Sequence, residues 1–488
     1  MARPITPPRL IRLWTRLSPA LLPFADAASA EVPLPRLLRL ALFQVSVGMA
    51  AALLIGTLNR VMIVEMHMAS GLVALMVALP LLVAPWRAFV GYRSDTHRSA
   101  LGWRRVPYLW FGTLLQFGGL SILPFALLLM AASGEGGEAA IRLPMVPQAA
   151  VALAFLMVGL GMQTTQTAGL ALATDLSPAD KRPRVVALMY LMLLLGILLG
   201  SIGFSLALVD FSPTRLVAVV QGSAVLTMLL NGVALWKQEA RGSVATRAAA
   251  EPPFGRAWAA FLAQHQARRY LVALGLGTAG FAMQDVVLEP YGGSVLGLSV
   301  SATSLLTAGL ALGSLLAFGF AARQLQRGAD PYRLAALGVL AGIVAFAAVI
   351  FSAPLQSTLL FRAGTFGIGL GGGLYAVSML VVAMGLKVDG QAGLALGAWG
   401  AVQAGSAGLA TAAGGLLRDL FGWLSGQGLL GPAMTDPSVP YSTVYHIEIA
   451  LLFAALVAIG PLVRSCRAAW RDSPTSPPGP FGLAGLPG

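Results

Sequence analysis

Twelve apolar stretches separated by short loops limit this chain to one class of fold. They run over 37–58, 69–90, 106–132, 146–174, 184–208, 214–236, 269–291, 299–322, 331–353, 357–385, 391–417 and 443–463. A hydrocarbon core about 30 Å thick takes roughly 20 helical residues per crossing. Backbone N–H and C=O groups in lipid must close their hydrogen bonds internally, so each stretch is read as a transmembrane helix. A soluble globule is excluded by 57% apolar residues, 10% charged residues and a mean hydropathy of +0.79, which leave too little polar surface to face water.

Charge orients the bundle. With the N-terminus inside, the cytoplasmic segments hold 27 of the 32 Lys and Arg residues. The external loops hold four, Arg60, Arg142, Arg215 and Arg418, while Arg362 falls inside the tenth span. That asymmetry places both termini in the cytoplasm of a bacterial inner membrane. The net charge of +13 is then topology and contact with the anionic lipid bilayer, and no nucleic-acid partner is expected. Residues 1–36 have no apolar core with a cleavage site, so they read as a basic cytoplasmic tail. Leu10, Ile11, Trp14, Leu17 and Leu21 alternate there with Arg9, Arg12 and Arg16, either as an interfacial helix or as a disordered segment. The one cysteine, Cys466, permits no intramolecular disulfide.

The chain divides into a tail (1–36), a six-helix half (37–236), a basic linker (237–268), a second six-helix half (269–463) and a C-terminal tail (464–488). The end of span one, Asn59-Arg60-Val61-Met62-Ile63-Val64, is echoed at the end of span seven by Gln284-Asp285-Val286-Val287-Leu288-Glu289, an offset of 225. Gly91 and Gly319 repeat at an offset of 228. Parallel six-helix repeats flanking a basic loop are the mark of the major facilitator architecture, an all-α polytopic fold of 12 transmembrane helices in two six-helix bundles. The loop after span two fits it. Gly91, Asp95, Arg98, Gly102, Arg104 and Arg105 resemble the facilitator loop motif, in which glycine lets helix ends approach and the acid and arginines clamp them. Its counterpart near Gly319 lacks the acid.

Charged groups at bilayer depth cost ~2.5–3.5 kcal/mol, so each one present calls for a reason. Asp285 and Glu289 lie at i and i+4 on one face of span seven, and in the facilitator fold spans one, four, seven and ten line the central cavity. Arg60, Glu65, Asp285, Glu289 and Arg362 are therefore expected on the external half of that cavity, with Arg60 facing Asp285. Such a network either switches between states or only fixes packing. In span four, Gln163, Gln166 and Thr167 form a polar stripe that either faces the cavity or bonds neighbouring helices. Glycine-dense spans ten and eleven are suited to close packing or bending. No phosphate-binding loop, metal cluster or catalytic triad appears, and enzyme activity is not expected.

Several runs carry a family resemblance: Asn59–Glu65, Phe89–Arg105, Gln116-Phe117-Gly118-Gly119, Gln163–Ala171 and Gln284–Gly293. Across about residues 36–420 the chain resembles the PucC/LhaA family, light-harvesting complex assembly factors of purple phototrophic bacteria also classed as bacteriochlorophyll-delivery facilitators. The resemblance implies an intracytoplasmic-membrane protein that helps antenna α and β polypeptides receive pigment. Bacteriochlorophyll would be a transient ligand, and bacteriochlorophyll synthase and the membrane insertion machinery would be further partners. Trp14–Ala28 looks more like the core-antenna, LhaA-like branch. Of four histidines only His446 enters a span, beside Glu448, which makes it the candidate pigment ligand; an interfacial hydrogen-bonded histidine is the other reading. The alternative function is secondary active transport of a small apolar or amphipathic solute, and a third is a structural scaffold.

Overall fold

The computed structural model describes residues 33–83, 105–134, 146–178, 181–238, 265–385 and 392–471, with Val90, Ser94 and Trp103. Among them every apolar stretch contains a helix. α1 (Leu34–Glu65), α2 (Ser70–Leu82), α3 (Val106–Gly134), α4 (Val146–Asp175), α5 (Arg182–Ala207) and α6 (Pro213–Leu235) come first. α7 follows in two pieces, α7a (His265–Ala282) and α7b (Gln284–Ser294). The rest are α8 (Val300–Gln326), α9 (Pro331–Ser352), α10 (Thr358–Gly385), α11 (Ala392–Gly426) and α12 (Val439–Arg471). Ten helices among the described residues are long and apolar enough to cross a membrane. The interfacial segment around Trp14 and most of the 237–268 linker lie outside the described residues, as do Gly91, Asp95, Arg98, Gly102 and Arg104 of the loop motif.

The apolar core is split as a duplicated bundle requires. One cluster runs from Tyr270 through Phe346 and Tyr375 to Leu462, wholly within α7–α12. Two others gather Leu37–Phe43 with Leu188 and Met189, and Leu53–Ile63 with Phe155 and Val220, in α1–α6. Val286 of α7b and Val300 of α8 join the second of these, so the halves share core at that level. Helices approach closely where side chains are smallest. A Cβ on Gly161 would lie 2.6 Å from the Gln116 backbone N, and one on Gly369 would lie 2.1 Å from the Leu310 carbonyl. Membrane helices associate through such contacts because lipid supplies little hydrophobic drive between them.

Two departures from the expected helices set the site. Residues Ala52–Leu58 and Val61–Glu65 of α1 are π-helical, and α1 therefore extends past Arg60, which the charge pattern places in a loop. α11 likewise runs through Arg418 to Gly426, beyond the end expected at residue 417. Both cations stay helical because side-chain and backbone partners meet them there.

Candidate functional site

The loops after odd-numbered helices share one end of the bundle, called here the odd end, which the charge count assigns to the outside. Here α1 and α7 cross. Pro290 has no N–H, so the Val286 carbonyl four residues earlier loses its intrahelical donor. Asn59 supplies one: its Nδ2 donates to Val286 O at 3.0 Å and to Asp285 O at 3.2 Å. Thr57 and Ser304 hydroxyls pair at 2.9 Å, and Ser205 with Ser301 at 3.1 Å, across the same boundary between the halves.

Arg60 is 4% exposed and pairs with Glu65, not with Asp285 as expected. The reason is local. In a π-helix the repeat is i to i+5, seen here as Met66 N to Val61 O at 3.0 Å, and it folds Glu65 back beside Arg60 five residues earlier. The second guanidinium nitrogen donates to the Leu298 carbonyl at 3.1 Å, which ties α1 to the turn before α8. Asp285 instead accepts from the Gln284 amide at 2.5 Å, and Glu289 accepts from the Thr307 hydroxyl.

Asp285 and Glu289 line a cavity of about 170 Å³ between the halves. Its walls come from α1 (Ala51, Ala52, Ile55), α5 (Leu194, Ile197), α7 (Gln284, Asp285, Leu288, Glu289) and α8 (Thr307 to Ser314). α4 and α10 are not among the walls of this cavity. The Gln163 amide donates to the Pro80 carbonyl at 3.2 Å and Gln166 to Gln44 at 3.3 Å, while Thr167 bonds back to Gln163 O at 2.7 Å. The α4 stripe thus ties α4 to α2 and α1. Thr165 likewise accepts from Gln116 of α3 at 2.9 Å. On α10 the glycine face packs against α8 and α9, which turns Arg362 to the exposed side beside Leu359 and Ala363. Arg362 therefore does not enter the charge network.

The break in α7 has its own support. The Gln284 N–H donates 2.6 Å to Glu448 Oε1 of α12, and Thr411 of α11 donates to the Ala282 carbonyl at 3.3 Å. Glu448 is wholly buried. Sequence reasoning reaches Glu448 only as a neighbour of His446 and misses this role; an acid inside an apolar span is signal enough. His446 itself is exposed and its Nδ1 lies 2.6 Å from the Ser442 carbonyl one turn back, on a face away from the cavity. Among the described residues no group of three or more His, Cys, Asp or Glu side chains could hold a metal.

At the two bundle ends, separate ion pairs bind helices. Asp419 of α11 accepts the backbone N–H groups of Ser70 and Gly71, the first residues of α2. Arg418 donates to Asp419 at 3.0 Å and to the Tyr441 hydroxyl at 3.1 Å, and its guanidinium stacks 4.9 Å above the Tyr441 ring. At the other end Arg105, the described arginine of the loop motif, donates to Asp175 at the end of α4 at 3.0 Å and to Ser94 at 2.6 Å. Among the described residues the acid it meets is Asp175.

Known proteins resemble this arrangement at two levels. In fold, it is similar to a bacterial homologue of the iron transporter ferroportin in its inward-facing state, with a TM-score of 0.64 at 14% identity, covering 87% of this chain and 97% of that one. The nucleoside transporter NupG gives a TM-score of 0.59 at 14% identity, covering 87% and 98%. These likenesses show the major facilitator fold alone. In sequence, Protein PucC of Rhodovulum sulfidophilum is 52% identical over 83% of this chain and 89% of its own length. An uncharacterized protein from the puhA-bchM intergenic region of Rhodobacter capsulatus is 51% identical over 93% and 94%. Residues 57–466, from the α1 π-turns into the last turns of α12, match the family described as PUCC protein, and the chain belongs to that family.

Proposed function

We propose that this chain is an assembly factor for a purple-bacterial light-harvesting complex, with the core antenna as its client. The observation that carries the reading is family membership across 57–466, which takes in both helical halves. It assists insertion or pigment loading of the small α and β polypeptides, binds bacteriochlorophyll transiently, and works beside bacteriochlorophyll synthase and the insertion machinery. It sits in the inner membrane with both termini cytoplasmic, as the positive-inside asymmetry supports. The chain itself carries out no catalysis in this reading.

Cavity size favours the outer surface as the working face. Ligand pockets for drug-sized molecules span about 300–1,000 Å³, whereas the cavity between the halves has about 170 Å³. That is small for a tetrapyrrole with its tail. On α3, Trp110, Phe111, Leu114 and Phe125 are exposed to the lipid side and offer a broad apolar and aromatic face for single-span clients. Purification of the full-length protein in mild detergent should bring down α and β polypeptides with bacteriochlorophyll absorbance. Recovery of neither overturns the proposal.

A second reading, secondary transport of a small solute, is favoured by the acid-lined cavity between the halves. Gradient-dependent uptake of a solute by proteoliposomes would support it.

A further inference from the structure

The cavity between the halves holds more acceptors than donors. Glu289 Oε2 and Gln284 Oε1 have no hydrogen-bond partner, although Glu289 is 2% exposed and Gln284 4%. Both side chains line the cavity, with Asp285 beside them. The donors that reach this set are the Gln284 amide, spent on Asp285, and the Thr307 hydroxyl, spent on Glu289 Oε1. Ser314 donates to the Gly369 carbonyl at 2.9 Å. The α1 cation, Arg60, donates its hydrogen bonds to Glu65 and the Leu298 carbonyl and reaches Glu289 only through its electrostatic attraction. Glu448, behind the α7 break, places a further carboxyl group close by, its Oε1 on the Gln284 N–H and its Oε2 without a partner. The surrounding walls, Ala51, Ala52, Ile55, Leu194, Ile197 and Leu288, are apolar. Acceptor oxygens left without donors in such a setting are unfavourable.

A cation resolves the imbalance. We propose that the cavity binds a small hard monovalent cation of the sodium class, held by Asp285, Glu289, Gln284 and Thr307. All four supply oxygen, the donor type that hard cations take. A water's share of liquid volume is about 30 Å³, so a cavity of about 170 Å³ holds an ion with a few waters. Gly56 brings the first half against this donor set: a Cβ there would lie 2.6 Å from Glu289 Oε1 and 2.8 Å from Thr307 Oγ1. The bound ion therefore sits between the halves and draws α1, α7 and α8 together. Antenna assembly stands or falls separately from this site.

The test melts the purified full-length protein in detergent at constant ionic strength, with choline chloride replaced stepwise by sodium, lithium or potassium chloride. Sodium should raise the melting temperature saturably and choline should not. Glu289→Gln and Asp285→Asn should lose that response. In choline, Glu289→Gln should melt at or above the wild type, because the amide adds donors to an acceptor-rich cavity. Thr307→Val should raise the sodium midpoint about tenfold, as loss of one ligand weakens an oxygen site. Gln284→Leu leaves the charge count unchanged and should move the midpoint the same way if a carboxylate variant does not purify. Equal melting in every salt, or a sodium response kept by Asp285→Asn and Glu289→Gln, overturns the proposal, as does an unmoved midpoint in Gln284→Leu.

Discussion

Asp419 of α11 receives the N–H of Gly71 at 2.6 Å, so one carboxylate from the second half caps the first turn of α2 in the first half. The Ser70 N–H reaches the other carboxylate oxygen at 3.1 Å. An anion at a helix N-terminus meets both unpaired N–H groups and the positive end of the helix dipole. Asp419→Ala should lower stability by about 1–2 kcal/mol, the scale of a lost N-cap. Asp419→Asn, which keeps one acceptor oxygen, should lose less. Thermal melting of the two variants in detergent checks the order.

Glu448 does a comparable task inside the bundle. Glu448→Ala leaves the Gln284 N–H unpaired in the α7 break and should cost about 1–3 kcal/mol. Glu448→Gln retains an acceptor oxygen for that N–H, so it should melt near the wild type. If alanine and glutamine cost the same, Glu448 does not hold the break through this bond.

The Arg60 pairing makes a double-swap prediction. Arg60→Glu and Glu65→Arg should each destabilise by about 3–5 kcal/mol, the cost of breaking a buried pair, tempered by the half-exposed Glu65. Together they should recover part of the loss. Exchanging Arg60 with Asp285 should recover nothing, since Asp285 bonds to Gln284. Melting temperatures of the two double variants decide between the partners.

Close packing separates local from interdomain strain. A Cβ on Gly415 of α11 would meet the Ser70 carbonyl of α2 at 2.5 Å, across the halves. On Gly48 of α1 it would meet the Leu193 carbonyl of α5 at 2.2 Å, within one half. Both alanine variants should lose about 1–3 kcal/mol from overpacking. Only Gly415→Ala should lengthen the distance between spin labels placed on α2 and α11.

Hydropathy makes the spans legible, because crossing hydrocarbon demands runs that no local detail can disguise. Their ends are less so. Arg60 and Arg418 read as stops since a cation usually marks water, yet each is met by partners that no composition reveals: a π-turn glutamate for one, Tyr441 and Asp419 for the other. Asp285 and Glu289 reach the cavity on helical spacing alone. Arg362 does not, because glycines on its own helix set which face turns inward. Asn59 stands in a recognisable repeat, but its role depends on Pro290 freeing a carbonyl on another helix. Such pairings over more than 200 residues leave no local trace.

Deleting the gene and recording near-infrared absorption during antenna synthesis tests the central claim most directly. Assistance to the core antenna predicts a marked loss of that antenna's band, with the free pigment pathway intact and restoration by the full-length chain. Core antenna accumulating at its normal rate in the deletion strain would contradict it.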